Sequence, residues 1–189
     1  MLGYIVTDQR GVLDAMLLQI AERLRAEGLR LAGAVQENPV PEDRADTRCD
    51  MVLRLLGTSR TICISQRLGA HARGCRLDPG ALEEAAAAVE HRLTDRPDLL
   101  IVNKFGKAEM DGHGFRPVIA SALGEGIPVL TAVGRGGLPG FDSFVDGLGT
   151  PLPFALDPVL DWCRHAVAEA ATDVADPVPA AKATTHPRP

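Results

Sequence analysis

Aromatic residues are scarce. Five Phe, one Tyr and one Trp make up 4% of the chain, so a core must be built from Leu, Val, Ile and Ala. No apolar run approaches the ~20 residues that cross a bilayer, and membrane insertion is not expected. The N-terminal MLGYIVTDQRG has neither a basic region nor a cleavage site. It reads as a first strand, not a signal peptide, and places the protein in the cytoplasm. Cys49, Cys63, Cys75 and Cys163 show no close spacing, so neither a disulfide framework nor a zinc knuckle is expected, and no metal site is assigned. Positive charge is not in excess either. The formal net charge of -5 argues against a nucleic-acid partner while leaving room for a local cationic pocket. Serine hydrolysis has no support, because no G-x-S-x-G elbow is present, and no internal repeat is seen.

What remains is ordinary globular usage: 189 residues, 46% hydrophobic and 24% charged, enough for one well-buried domain. Leu2 to Thr7 reads as a buried strand. A helical stripe of Leu13, Met16, Leu17, Ile20 and Leu24 follows, closed by Gly28, and Leu29 to Gln36 reads as the next strand. That opening suggests a parallel crossover. Glu37 to Asp50 is polar and proline-bearing and is expected to be a surface loop. Met51 to Leu56 and Thr61 to Ser65 flank Gly57-Thr58-Ser59-Arg60 as a small antiparallel hairpin. Asp78-Pro79 is a cap followed by a first-turn proline, opening a helix to about Thr94. A strand from Leu99 to Val102, a helix near Phe115 to Leu123 and a strand from Pro128 to Val133 come next. Gly134 to Gly149 is glycine-rich and reads as loop, with a short helix around Phe141 to Val145. Asp157-Pro158 repeats the cap signal and opens a last helix to about Ala171. Residues 1–171 are therefore expected to form a single α/β domain, and 172–189 a disordered tail with little to bury.

The most informative run is Leu99 to Glu109. Four apolar residues end abruptly in Asn103-Lys104, then Gly106-Lys107 and Glu109. In α/β sheets, ligands bind outside the carboxyl ends of the strands. Two cations within four residues favour an anionic ligand there, and Glu109 is placed to orient water or a metal. The other usual phosphate site is the turn after the first strand, at a helix N-terminus. A P-loop of the G-x-x-x-x-G-K-[ST] type needs glycines for backbone approach, a lysine for charge and a hydroxyl for magnesium. In Asp8 to Ala15, Asp8 and Leu13 stand at the glycine positions, Asp14 at the lysine and Ala15 at the hydroxyl. An anion in place of a cation at about 4 Å from a phosphate shifts the pair energy by several kcal/mol at an effective dielectric near 20. The P-loop is degenerate, although Arg10 and the amides around Gly11 remain suited to a small oxyanion.

With these segments in view, the chain resembles a bacterial family, a domain of unknown function encoded beside molybdate-transport genes. The matching stretches are Ala34-Val35-Gln36, Ile64-Ser65-Gln66 through Gly69, Gly74 to Pro79, Asn103 to Lys107, Glu109 with Gly112 and Gly114, and Pro128 to Val133. That family is similar in turn to small P-loop nucleoside-triphosphatases first described in thermophiles, whose corresponding strand ends in Asp-Glu followed by Gly-x-x-Glu. Here Asn103-Lys104 replaces the acidic pair, while Gly106 and Glu109 match. The resemblance implies a three-layer α/β fold with a mostly parallel sheet, P-loop-NTPase-like, carrying a degenerate P-loop and a small antiparallel hairpin. It also implies a ligand that is molybdate, tungstate or a nucleotide with magnesium, and a molybdate transporter or regulator as partner, with a homo-oligomer compatible.

Ligand-binding candidates are accordingly Arg10, Gly11, Gln36, Arg76, Asn103, Lys104 and Lys107. Arg76 with the two lysines makes a tripod of cations suited to a tetrahedral oxyanion. For an active nucleoside triphosphatase, Lys104 and Glu109 are the catalytic candidates, with Lys104 replacing the lost P-loop lysine from a neighbouring strand. A third reading is a non-catalytic interaction protein that docks a transporter through Gly134 to Gly149. His113 and Cys75 read as a solvated loop residue and a small buried one, and Trp162 as a core or interface anchor.

Overall fold

Seven strands among the described residues form one sheet, six of them on runs legible in the sequence. The computed structural model describes residues 1–37, 51–66 and 77–175. Strands β1 (Leu2–Val6), β2 (Leu31–Gln36), β5 (Leu99–Phe105) and β6 (Val129–Val133) are buried along most of their length. That is how strands covered by helices on both faces read, as near-continuous apolar runs. Between β2 and β5 in sequence lie the short strands β3 (Val52–Leu55) and β4 (Thr61–Cys63). The last strand, β7, is Gly149–Leu152. The spatial order is β4-β3-β2-β5-β6-β1-β7. Strands β2, β5, β6, β1 and β7 run parallel, and β3 and β4 continue the sheet antiparallel beyond β2. The expected hairpin is present and forms one edge.

Helices α1 (Arg10–Ala26) and α6 (Leu156–Ala175) cover one face. There Leu17, Ile20 and Leu24 meet Ile5, Ile101 and Leu130, together with Val159 and Leu160. On the other face lie α2 (Pro79–Leu93), α4 (Arg116–Gly124) and α5 (Leu138–Val145). Leu82, Val89, Ile119 and Phe141 from these helices pack on Ala34, Leu100 and Val102. Three layers result, as expected. Asp78 caps α2 as its sequence implies: the carboxylate accepts from Ala81 N–H at 3.1 Å, with proline in the first turn. The half-buried Trp162 ring lies over Gly3 of β1, where an added Cβ would come within 2.8 Å of it.

Several expectations need correction. The segment from Gly134 to Gly149 is mostly not loop, although the short helix expected around Phe141 to Val145 is present within α5. It holds a 3₁₀ turn (Arg135–Gly137), then α5, then the start of β7. Glycine content misled because Phe141 and Val145 are buried on one side of α5, and Pro151 is tolerated in β7 because that strand is an edge. Strand β5 runs past Val102 to Phe105. The last helix starts at Leu156, so Asp157 sits inside its first turn and does not cap it. It also runs on to Ala175, past the boundary expected at 171. The rest of the expected tail, and the loop from 38 to 50, lie outside the described residues. Cys63, read as unpaired, is disulfide-bonded.

Candidate functional site

Helix α1 leaves β1 toward one face and α5 leaves β6 toward the other, so the strand ends diverge, the arrangement that opens a crevice in α/β sheets. A cavity of about 700 Å³ lies at these carboxyl ends. Its lining includes Thr7 after β1, Gln36 at the end of β2, Asn103 and Lys104 of β5, Val133 of β6, and Asp14 of α1. Lys107 and Glu109, from the short helix α3 (Lys107–Met110), line it as well.

An irregularity in β5 sets these directions. Val102 pairs with Thr131 of β6 and Phe105 with Val133, so three steps along β5 match two along β6. Leu100 and Val102 belong to the core under α2 and α4, whereas Leu99 and Ile101 belong to the core under α1. Strict alternation would send Phe105 toward α1. The extra residue turns it back, onto Phe141 and Phe144 at ring-centroid distances of 5.1 Å each. Bulges commonly re-aim side chains in this way, and this one falls at Asn103-Lys104.

Asn103 keeps the α1 side. Its Nδ2 donates to Asp14 Oδ1 at 2.9 Å, and its Oδ1 accepts from Gln36 N–H at 3.1 Å. Both side chains are buried, at 6% exposure. One amide therefore ties together the ends of β5 and β2 and the second turn of α1.

Lys104 is half-buried and Lys107 exposed. Both line the cavity, and among the described residues neither ammonium has an ion-pair or hydrogen-bond partner. Glu109 is 4% exposed. Its Oε2 accepts from Gly106 N–H at 2.8 Å and its Oε1 from Phe115 N–H at 3.1 Å. Burial pushes its carboxyl above the usual carboxylate range, against the pull of those amides. Both oxygens thus hold the backbone on either side of α3, and the segment carrying Lys107 is fixed by them.

The β1–α1 turn is short. Thr7 Oγ1 accepts from Gln9 N–H at 3.1 Å, and Leu13 N–H already bonds to Gln9 O at 3.0 Å. The helix has begun by Arg10, so the positions that a phosphate loop would wrap around a ligand are helical here. Asp8, exposed, accepts from Arg135 N–H at 3.1 Å.

Of the residues singled out from sequence, Gln36, Asn103, Lys104, Lys107 and Glu109 come together around the cavity. Arg10 and Gly11 open α1; Gly11 is not among the described residues lining the cavity, and the Arg10 side chain lies outside what the structure describes. Arg76 lies outside the described residues. His113 is exposed and does not line the cavity. Sequence reasoning missed Asp14 as a structural member of the site. The signal was present: Leu13, Leu17, Ile20, Ala21 and Leu24 are the buried stripe of α1, and Asp14 is the one charge within it. It also missed the apolar walls, to which Leu53, Ile64, Leu77, Leu82 and Phe115 contribute.

Comparison with known proteins was informative. A family model described as "Protein of unknown function (DUF2478)" matches residues 2–162. Molybdenum import ATP-binding protein ModC 2 of Bradyrhizobium diazoefficiens is 38% identical over 152 residues, covering 80% of this chain. The match spans only 17% of that relative's length. Among solved structures, the solution structure of a human cancer-related nucleoside triphosphatase has a TM-score of 0.60 and 14% identity. The likeness covers 90% of this chain and 95% of that one, and it is a likeness of fold.

Proposed function

The chain belongs to the DUF2478 family, and from that premise we propose that it binds a small anion or a nucleotide in the cavity at the carboxyl edge of its sheet. The observation that carries this is the placement of Lys104 and Lys107 on one cavity, neither ammonium ion-paired or hydrogen-bonded among the described residues. Two cations beside a partly desolvated cavity are stabilised by an anion that both can reach. In this reading Lys104 supplies, from β5, the charge that Asp14 cannot supply from α1. Gln36 and Asn103 hold the strand ends in place, and Arg10, Gly11 and Arg76 are further ligand-binding candidates. An accessory role in cytoplasmic molybdate uptake or molybdenum homeostasis rests on the name of the relative that is 38% identical, with a transporter or regulator as partner. No helix among the described residues is long and apolar enough to cross a membrane, which fits a role beside a transporter.

The fold shared with a nucleoside triphosphatase keeps hydrolysis as a second reading. The engagement of both Glu109 oxygens by backbone amides favours binding over it. A melting panel of molybdate, tungstate, phosphate and ATP, with and without magnesium, separates the two. Binding predicts stabilisation of about 2.7 kcal/mol at a hundredfold excess over Kd, abolished in the Lys104→Met/Lys107→Met variant. No shift with any of these at millimolar concentration overturns the anion site. Phosphate release from ATP or GTP, lost on Lys104→Ala and on Glu109→Gln, establishes hydrolysis instead.

A further inference from the structure

The size and wall chemistry of the cavity narrow the class of ligand, a step that rests on the anion-site reading. The geometry points to a nucleoside monophosphate, an organic anion with one phosphoryl group and a flat ring, in preference to a bare tetrahedral oxyanion or a clamped triphosphate.

Three observations carry the step. The first is volume. About 700 Å³ falls within the range of roughly 300–1,000 Å³ typical of sites for organic ligands, and a five-atom oxyanion would leave most of it filled with water against apolar walls. The second is the division of the lining. Both cations, Lys104 and Lys107, come from one continuous segment, beside the polar Thr7, Asp14 and Gln36, whereas Leu53, Ile64, Leu77, Leu82 and Phe115 come from β3, the segments around β4 and α2, and the start of α4. An anionic group and an apolar ring each find a matching part of the wall. The third is the number of cations. Lys104 and Lys107 are the basic residues among the described lining. Two cations match the charge of one phosphoryl group and fall short of that of a triphosphate.

A triphosphate meets a further obstacle. Its additional charges need amides or a cation from the β1–α1 turn, and there the helix has already begun, with the Asp14 carboxylate on the cavity wall. Repulsion replaces the clamp.

Calorimetry on the full chain tests this with AMP, GMP, CMP and UMP, and with adenosine, inorganic phosphate, molybdate and ATP with magnesium. At least one monophosphate is expected to bind at least tenfold tighter than adenosine and tenfold tighter than phosphate. Lys104→Met/Lys107→Met should bring that monophosphate down to the affinity of its nucleoside. Leu77→Trp, at a half-buried wall position, should remove monophosphate and nucleoside binding while leaving phosphate binding unchanged; melting curves confirm that each variant is folded. If Leu77→Trp does not fold, Leu77→Phe replaces it. Phosphate or molybdate binding as tight as any monophosphate, and unmoved at Leu77, sinks the ligand class but leaves the anion site standing. ATP binding tighter than every monophosphate likewise sinks it. If none of the probes binds, the ligand class and the anion site fall together.

Discussion

Asn103 Nδ2 lies 2.9 Å from Asp14 Oδ1, joining positions 89 residues apart at the base of the cavity. The pair replaces an electrostatic arrangement with a hydrogen-bonded one. Where a phosphate loop would place a lysine, and the next strand a carboxylate, this chain has the carboxylate on the helix and a neutral amide on the strand. The buried carboxylate is supported by a donor without introducing a second charge, and under the proposed function the cation of the anion site lies one residue along, at Lys104.

Removing the amide should therefore be costly. Asn103→Leu deletes the donor to Asp14 and the acceptor of Gln36 N–H, and a loss of about 1–3 kcal/mol is expected from the two hydrogen bonds removed. Asn103→Asp should be worse at neutral pH, because two facing carboxylates each disfavour ionisation. Its deficit should shrink as pH falls and one of them takes up a proton. Urea unfolding of both variants at pH 5 and pH 8 checks this. A deficit in Asn103→Asp that is the same at both values rules out the proposed contact between the two groups.

Glu109 gives a second pH signature, with a defined sign. Its folded pKa is raised by burial above the usual 4.5, so the native state binds more protons than the unfolded state in that window. Stability from this group is therefore fully present below about pH 4.5 and declines as pH rises through the elevated value. Glu109→Gln removes that slope, and its melting temperature should vary less than that of the parent between pH 4 and pH 7. Glu109→Ala also leaves the Gly106 and Phe115 amides without their acceptor, and should cost about 1–3 kcal/mol near pH 7.

The same carboxylate explains a glycine. Gly114 has φ +58, and a Cβ there would come within 2.4 Å of Glu109 Oε1. Gly112, at φ +93, faces open space. Gly112→Ala should carry only the left-handed conformational cost, about 1–2 kcal/mol, whereas Gly114→Ala adds the collision and should exceed it. Chemical denaturation of the two variants decides the order; equal losses would show that Glu109 moves aside freely.

Much of this architecture was legible because local signals agreed with one another. The apolar run from Leu99, the Asp78-Pro79 cap and the stripe of Leu13, Leu17 and Leu24 each predict one element, and each element forms. The cavity lining was legible where polar residues end a strand, at Asn103 and Lys104. Two kinds of feature were hidden. Strand β7 pairs with β1 from 147 residues away, and no local pattern announces an edge strand as short as Gly149–Leu152. The cavity walls are apolar residues whose sequence pattern is that of any core, so only tertiary assembly separates Leu82 and Phe115 as lining from their neighbours as filling. Asp14 falls between these cases: it was noted as a misfit in a phosphate loop, when its position within a buried stripe marked it as bonded.

Thr131 offers a gain in place of a loss. Every residue of β6 is buried. Leu130 and Ala132 belong to the core under α1, and Val129 and Val133 to the opposite one, so alternation sends Thr131 toward α4 and α5. Its hydroxyl is fully buried and has no hydrogen-bond partner among the described residues. An unsatisfied buried hydroxyl costs about 1–3 kcal/mol, whereas valine keeps the branched shape and suits a strand. Thr131→Val should stabilise by about 1 kcal/mol, which for a chain of this size raises Tm by roughly 2–4 °C. Thr131→Ser keeps the hydroxyl, deletes the methyl group and should lower Tm. Calorimetric melting of both variants separates packing from polarity. A lower Tm in Thr131→Val than in the parent would mean that this hydroxyl is bonded in solution, and the core beneath α5 would then contain a polar contact that its apolar neighbours give no reason to expect.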